Sequence, residues 1–189
     1  MSFFIKSAKD EKDWINDDKL EIAFIGRSNS GKSSLINALA NKKIAISSKK
    51  QGCTKLVNFY SFGKFRIIDL PGYGYAKQSK KNQISLLNII SSILVERKNL
   101  YAIYQVVDSN VLSNEDVQVN KYLKSKFVNV YVCLNKSDKM PLKRYVNSLK
   151  KITKFLGVKN DEIIFTSAKN GTNIKYLFSH MKKIINEVI

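Results

Sequence analysis

Gly26-Arg27-Ser28-Asn29-Ser30-Gly31-Lys32-Ser33 decides the fold of this chain. It follows Leu20-Glu21-Ile22-Ala23-Phe24-Ile25, an apolar run that reads as a buried strand. It precedes Ser34-Leu35-Ile36-Asn37-Ala38-Leu39-Ala40, which reads as a helix. Strand, glycine-bounded loop ending in Lys-Ser, then helix is the setting that gives a GxxxxGK[ST] pattern physical meaning. Gly26 and Gly31 permit a tight wrap that turns successive backbone N–H groups inward, and such a nest at a helix N-terminus binds anions. Lys32 can reach the β- and γ-phosphates of a nucleotide, and the Ser33 hydroxyl can complete a Mg²⁺ shell that already holds phosphate oxygens.

Downstream, the chain alternates strands and helices. Leu56 to Phe62 alternates as a half-buried strand, and Gly63-Lys64 turns it tightly into Phe65-Arg66-Ile67-Ile68-Asp69. A two-residue turn cannot make a parallel crossover, so this pair is antiparallel. Ile84, Leu87, Ile90 and Leu94 share one face of a predicted helix. Leu100 to Val107, Val128 to Leu134 and Glu162 to Phe165 read as further strands. Asn114–Lys126, the stretch from Pro141 to Leu156, and the stretch from about Asn173 onward read as helices. The expectation is an α/β three-layer fold: a mostly parallel six-stranded sheet with one antiparallel strand and helices on both faces. Residues 1–19 are expected to pack on the domain as a lead-in through Trp14 and Ile15, and residues 20–189 to form a single domain. Ligands of such sheets bind beyond the carboxyl ends of the strands. Every motif of interest follows a strand, so all fall on one rim.

Two of those motifs choose the ligand. Asp69-Leu70-Pro71-Gly72 ends a strand where a carboxylate can hold Mg²⁺ through water, and Gly72 leaves an N–H for a γ-phosphate. In Asn135-Lys136-Ser137-Asp138, the Asp138 carboxylate can accept two parallel hydrogen bonds from guanine N1–H and N2–H₂. Adenine lacks both donors and would leave the charge unpaired. Asn135 can steady N7 and the neighbouring backbone, and the Lys136 stem can lie over the ring. Thr166-Ser167-Ala168-Lys169 adds backbone N–H groups for guanine O6 and a lysine for the other ring face. The expected ligands are GTP and GDP with Mg²⁺.

Composition bounds the rest. At 189 residues with 44% hydrophobic content, the chain is long enough to bury a core. No apolar run reaches the length of a membrane span, and neither a signal peptide nor a lipid anchor is expected. Cys53 and Cys133 are in no metal-type spacing, a disulfide is not expected, and a reducing cytoplasm fits. The single His180 argues against imidazole catalysis. The net charge of +18 attracts polyanions, although lysine, asparagine and isoleucine share A/T-rich codons and composition accounts for part of the excess.

The order GxxxxGKS, Thr, DxxG, NKxD, SAK resembles a translation-factor-class GTPase of the TrmE–Era–EngA–YihA–septin superfamily. The finer resemblance is to the YihA/EngB (YsxC) family of ribosome-assembly GTPases. It is carried by Phe4-Ile5-Lys6-Ser7-Ala8, by Gly26 to Ser34, and above all by Asp69-Leu70-Pro71-Gly72-Tyr73-Gly74-Tyr75-Ala76-Lys77. The resemblance implies a Mg²⁺-dependent G domain that binds the large ribosomal subunit or its assembly intermediates, through rRNA and ribosomal proteins. It also implies a cytoplasmic protein needed for growth, division and septation. No membrane or DNA partner is expected, and a monomer is. By the family pattern, Thr54 in Gly52-Cys53-Thr54-Lys55-Leu56 joins Ser33 and Asp69 around Mg²⁺. The family's usual residues differ at Lys50-Gln51-Gly52-Cys53-Thr54 and at Ser109-Asn110, and neither departure is expected to touch the nucleotide core.

Lys32, Thr54, Gly72 and Asn29 are the expected catalytic set. Tyr73 stands where many small GTPases carry a water-orienting glutamine, so intrinsic hydrolysis is expected to be slow. Asn29 resembles the asparagine of potassium-activated members, and its carbonyl could hold K⁺ where an arginine finger would otherwise point. Three other readings compete. A P-loop small-molecule kinase would want an arginine-rich lid, and the four arginines are scattered. A membrane-trafficking switch lacks its lipid signals. The third is a GTP-binding ribonucleoprotein scaffold without useful turnover.

Overall fold

The computed structural model describes residues 1–45, 56–74, 90–93, 97–127, 129–139 and 142–188, with the backbone alone for 142–148. The strands are β1 (Ser2–Ala8), β2 (Glu21–Gly26), β3 (Val57–Phe62), β4 (Phe65–Asp69), β5 (Leu100–Asp108), β6 (Val130–Asn135) and β7 (Ile163–Phe165). The long helices are α1 (Lys32–Ala40), α2 (Asn114–Lys126), α3 (Leu142–Leu156) and α4 (Ile174–Asn186). The sheet order is β1-β3-β4-β2-β5-β6-β7. All neighbours from β4 to β7 pair in parallel, and β3 runs against both β1 and β4. One strand is therefore reversed, as expected.

The sheet has seven strands rather than the expected six. Ser2–Ala8 forms an added edge strand, with Ser2 opposite Phe62 and Ala8 opposite Val57 and a bulge between Phe4 and Lys6. Its side chains give no strand pattern because Phe3, Phe4 and Ile5 are all substantially exposed. The backbone ladder, aided by Phe4 against Tyr60, holds it in place.

β2 is buried along its whole length, which is why it reads as a continuous apolar run. Ile22 and Phe24 face α1 and α4, where Leu35, Ile36, Leu39, Leu177, Met181 and Ile185 close one layer. Ala23 and Ile25 face the other layer, with Ile90, Ile93 and Leu123. On the same side, Ile152 and Leu156 of α3 cover Val132, Leu134, Ile163 and Phe165. Each such fully buried side chain contributes about 1.5–3 kcal/mol of transfer free energy. Of the predicted helix on the 84–94 face, only residues 90–93 are described, and they are helical.

At the amino ends of the strands lies a buried ionic network. Glu21 is wholly buried, and its carboxylate takes Arg66 Nη1 and Arg97 Nη2 at 2.6 Å each and Arg97 Nε as well. Arg66 also reaches Asp17 at 2.6 Å. The Arg97 guanidinium lies 5.6 Å from the ring centre of Trp14 and 5.5 Å from that of Phe59. Two planar, multi-donor cations thus pin the lead-in to the sheet through Asp17 and Trp14.

Candidate functional site

The carboxyl ends of β2, β4, β5, β6 and β7 bring the predicted motifs to one rim. Gly31 caps α1 at φ 95° with no side-chain cap and no acid in the first turn. The leading amides of α1 therefore lack intrahelical acceptors, and the positive end of its dipole is uncompensated. A Cβ on Gly31 would fall 2.3 Å from Asn135 Nδ2, and one on Gly26 would fall 2.3 Å from the Val106 carbonyl oxygen. The loop is therefore pressed against β5 and β6 at both ends. Arg27 forms a single parallel bridge with Tyr73, in which Ser28 N–H donates to Tyr73 O at 2.9 Å.

Asp69 closes β4 beneath this loop. Burial pushes its carboxyl up, while the Lys32 ammonium and a hydrogen bond with Asn58 pull it down. Among the described residues Asp69 Oδ1 has no partner. A buried carboxylate oxygen without a donor favours a nearby cation. Its oxygen chemistry and that of Ser33 suit Mg²⁺, which keeps most of its waters and takes few protein ligands. Gly52, Cys53, Thr54 and Lys55 lie outside the described residues, and Leu56 immediately precedes β3. Leu70 and Pro71 are buried, and Leu70 N–H donates to Phe24 O at 2.9 Å, which carries Gly72 up to the loop.

The motifs expected to bind the base surround a cleft of about 390 Å³, lined by Gly31, Ser34, Asn135, Lys136, Asp138, Lys139, Ala168 and Lys169. Asn135 is buried and its amide is fully engaged. Nδ2 donates to Ser30 O at 3.0 Å, and Oδ1 accepts from Ala168 N–H at 3.2 Å. Lys136 sits at φ 62° with Nζ 2.7 Å from both Asn29 O and Asp108 Oδ2, which stretches its stem along the cleft. Asp138 is exposed, and Ser167 Oγ donates to its Oδ1 at 2.6 Å. Ser137 N–H donates to Thr166 O at 3.1 Å, and Ser167 N–H to Thr172 O at 3.1 Å. The Ser167 and Ala168 amides, expected to meet guanine O6, thus both have acceptors within the protein, that of Ala168 at the longer 3.2 Å.

The family model described as "50S ribosome-binding GTPase" matches residues 21–136. A probable GTP-binding protein EngB of Malacoplasma penetrans is 50% identical over 189 residues, covering the whole of both chains. Among solved structures, a probable GTP-binding protein engB superposes with a TM-score of 0.72 at 27% identity, over 88% of this chain and 99% of that one. Era in complex with MgGDPNP and nucleotides 1506–1542 of 16S ribosomal RNA superposes with a TM-score of 0.69 at 26% identity, over 87% of this chain and 56% of that one.

The chain belongs to the EngB family. It is a GTP-binding P-loop GTPase. Within this EngB-family rim, Tyr73 does not face the phosphate loop with its side chain. The ring is buried, its hydroxyl donates to Asp116 Oδ1 at 2.8 Å and accepts from Gln105 Nε2 at 2.8 Å. Gln105 also donates to Asp116 O and accepts from Asn120 Nδ2. Asp116 further closes the capping box of α2 with Ser113. Burial, together with the Asp116 charge, pushes the Tyr73 hydroxyl above its ordinary range, so it stays protonated and donates.

Sequence reasoning passed over Gln105, Asp108, Asp116 and Asn120. A glutamine in the middle of the apolar run Leu100–Asp108 was the available signal, because a polar side chain buried on a central strand requires partners. Burial raises the Asp108 carboxyl, but hydrogen bonds from Lys136 and Asn110 outweigh it and hold the group below the usual range. The Ser109-Asn110 pair also corrects an expectation. Asn110 Nδ2 donates to Lys136 O at 3.2 Å, so this departure from the family pattern does touch the segment expected to bind the base.

Proposed function

We propose that this GTPase is a Mg²⁺-dependent switch acting on the large ribosomal subunit or its assembly intermediates, in the cytoplasm, and needed for growth, division and septation. The observation that carries the nucleotide part is the coincidence of a helix N-terminus with no side-chain cap, a buried carboxylate oxygen with no partner among the described residues and a base-sized cleft on one rim. The ribosomal part is supported by the matched family's description and by the net charge of +18.

In this reading the amides from Gly26 to Ser34 and the Lys32 ammonium hold the phosphates, and Gly72 N–H meets the γ-phosphate. Asp138 accepts guanine N1–H and N2–H₂. Asn135 braces the loop beneath the base, and the Lys136 and Lys169 stems cover the ring faces. Ser33, Thr54 and, through water, Asp69 would hold Mg²⁺, which neutralises charge developing on the β- and γ-oxygens. Gly52 to Leu56, Leu70, Pro71 and Thr166 to Ala168 complete the envelope.

Intrinsic hydrolysis is slow, at or below the order of 10⁻⁴ s⁻¹, because Tyr73 commits its hydroxyl to Asp116 and Gln105 and orients no water. Asn29 supplies a site for K⁺. It is exposed at φ 65°, and among the described residues its carboxamide makes no hydrogen bond. Sedimentation of the protein with large-subunit particles, loaded with GTP analogue or GDP, tests the switch. Equal co-sedimentation in both states, or equal affinity for ATP and GTP, overturns it.

A further inference from the structure

α3 is 15 residues long and carries Lys143, Arg144, Lys150, Lys151 and Lys154 without a single acid. Ile152 and Leu156 turn into the sheet, while Lys150, Lys151, Lys154 and Phe155 are exposed. Among the described residues, none of these three lysines meets a carboxylate. The same holds for the exposed Lys121 and Lys126 of α2, whereas Lys124 pairs with Glu162. α2 and α3 each link parallel neighbours of the sheet, so their carboxyl-terminal halves lie toward the rim opposite the nucleotide site.

Lysine abundance alone would not arrange the acids. Six of the fifteen acidic residues fall between Asp10 and Glu21. That segment is tied to this side of the sheet through Asp17 on Arg66 of β4, and through Arg97, which meets Trp14, the Ile15 carbonyl and Phe59 of β3. α3 covers the far edge of the sheet, over β6 and β7. The molecule is therefore polarised from an acid-bearing side to an acid-free helix.

We propose that the outer face of α3, extended by Lys121 and Lys126 of α2, docks the phosphate backbone of structured RNA. The choice of RNA among polyanions rests on the ribosomal reading above. A protein partner fits this face less well, because protein interfaces are depleted in lysine and centre on a desolvated apolar cluster. Here the exposed aromatics among the described residues, Phe155 and Tyr122, are isolated among lysines rather than gathered into an apolar cluster. Lysine ammonium groups on flexible stems bind phosphates as point charges and read no sequence. The face is separate from the rim that holds the nucleotide motifs, so docking leaves that site open.

The test compares two triple variants of equal charge change. One is Lys150→Gln, Lys151→Gln and Lys154→Gln. The other is Lys42→Gln, Lys43→Gln and Lys175→Gln, elsewhere on the surface. Glutamine keeps helix propensity close to that of lysine. The probes are a labelled RNA duplex of about 20 base pairs and purified large-subunit particles, titrated between about 50 and 200 mM salt. Unchanged GTP affinity in both variants verifies their folding. The α3 variant is expected to bind both probes roughly tenfold or more weakly, with a salt slope shallower by about 2 to 3. The control variant should stay within about threefold of wild type. Equal losses in both variants would show that net charge alone acts, and no loss in either would remove the face altogether. Loss of particle binding with duplex binding intact would identify an acidic protein partner and overturn the RNA assignment. If wild type ignores particles while duplex binding still depends on α3, the ribosomal reading fails and the surface stands.

Discussion

The two rims of the sheet solve opposite problems. At the amino ends, Glu21, Arg66, Arg97 and Asp17 meet in a network where two arginines satisfy a wholly buried carboxylate. At the carboxyl ends, Asp69 is also buried, yet among the described residues one of its oxygens is unpartnered, and α1 begins without a side-chain cap. The first carboxylate is satisfied within the protein, although Arg66 Nε beside it finds no acceptor among the described residues. The second is complete only with something added. Polar groups buried at the first rim hold the fold, and those at the second define a ligand.

The largest effect that could break this contrast comes from Asp138→Asn. Two hydrogen bonds to a charged acceptor, at about 1.5–3 kcal/mol each, place the loss of GTP affinity at roughly 10² to 10⁴-fold. Xanthosine nucleotides should gain, because their 2-oxo group suits an amide donor. Competition binding checks both, and retained GTP preference would remove Asp138 from base recognition.

Next in size is Glu21→Ala, which takes the shared carboxylate from two buried guanidinium groups. Among the described residues it leaves Arg66 only Asp17 and Arg97 only the Ile15 carbonyl as hydrogen-bond acceptors. It should cost about 3–5 kcal/mol in urea unfolding. Asp69→Asn is the counterpart at the other rim. It should leave nucleotide-free stability unchanged or slightly raised, since burial outweighs Lys32 and Asn58 in disfavouring that charge, while abolishing the Mg²⁺ dependence of GTP binding. If Asp69→Asn destabilised the nucleotide-free protein as much as Glu21→Ala, the rims would not differ in kind.

Tyr73→Phe sharpens the comparison by deleting one hydroxyl. Asp116 and Gln105 each lose a partner, for about 1–3 kcal/mol, and intrinsic GTP hydrolysis should change little. A large fall in hydrolysis would mean that the hydroxyl leaves Asp116 during turnover.

The smallest effect is one of pH. Burial raises the Asp17 carboxyl, but Arg66 and the Lys19 amide outweigh it and hold the group below its ordinary value. Its folded pKa is depressed, so its contribution is present above the ordinary carboxylate range and fades as pH falls through the folded value. Asp69 has the opposite sign: its raised pKa costs stability at neutral pH and relieves that cost on acidification. Urea midpoints from pH 6 to pH 3 should fall less steeply in Asp17→Asn and more steeply in Asp69→Asn than in wild type. Parallel curves would erase the distinction.

The sequence made much of this legible because its motifs are local. Gly26 to Ser33 sits between a continuous apolar run and an amphipathic one, and Gly63-Lys64 announces its hairpin. β1 was harder to see, since Phe3, Phe4 and Ile5 are held by main-chain pairing to β3 and leave no buried face to read. The fate of the Tyr73 hydroxyl was hidden for another reason. Its partners, Gln105 and Asp116, lie 32 and 43 residues away, on a strand and a helix whose patterns look ordinary. Spacing reveals what neighbours in the chain do together and says little about what the fold brings together.

Asn135 has a consequence for how ligand fragments add up. Its one amide grips the phosphate loop at Ser30 and the base-side loop at Ala168. In the reading proposed above, displacing one loop disturbs the other, so the two halves of the ligand are coupled through this side chain. Guanosine alone and inorganic triphosphate alone should each bind far more weakly than half of the joined molecule's free energy suggests, because each must order both loops unaided.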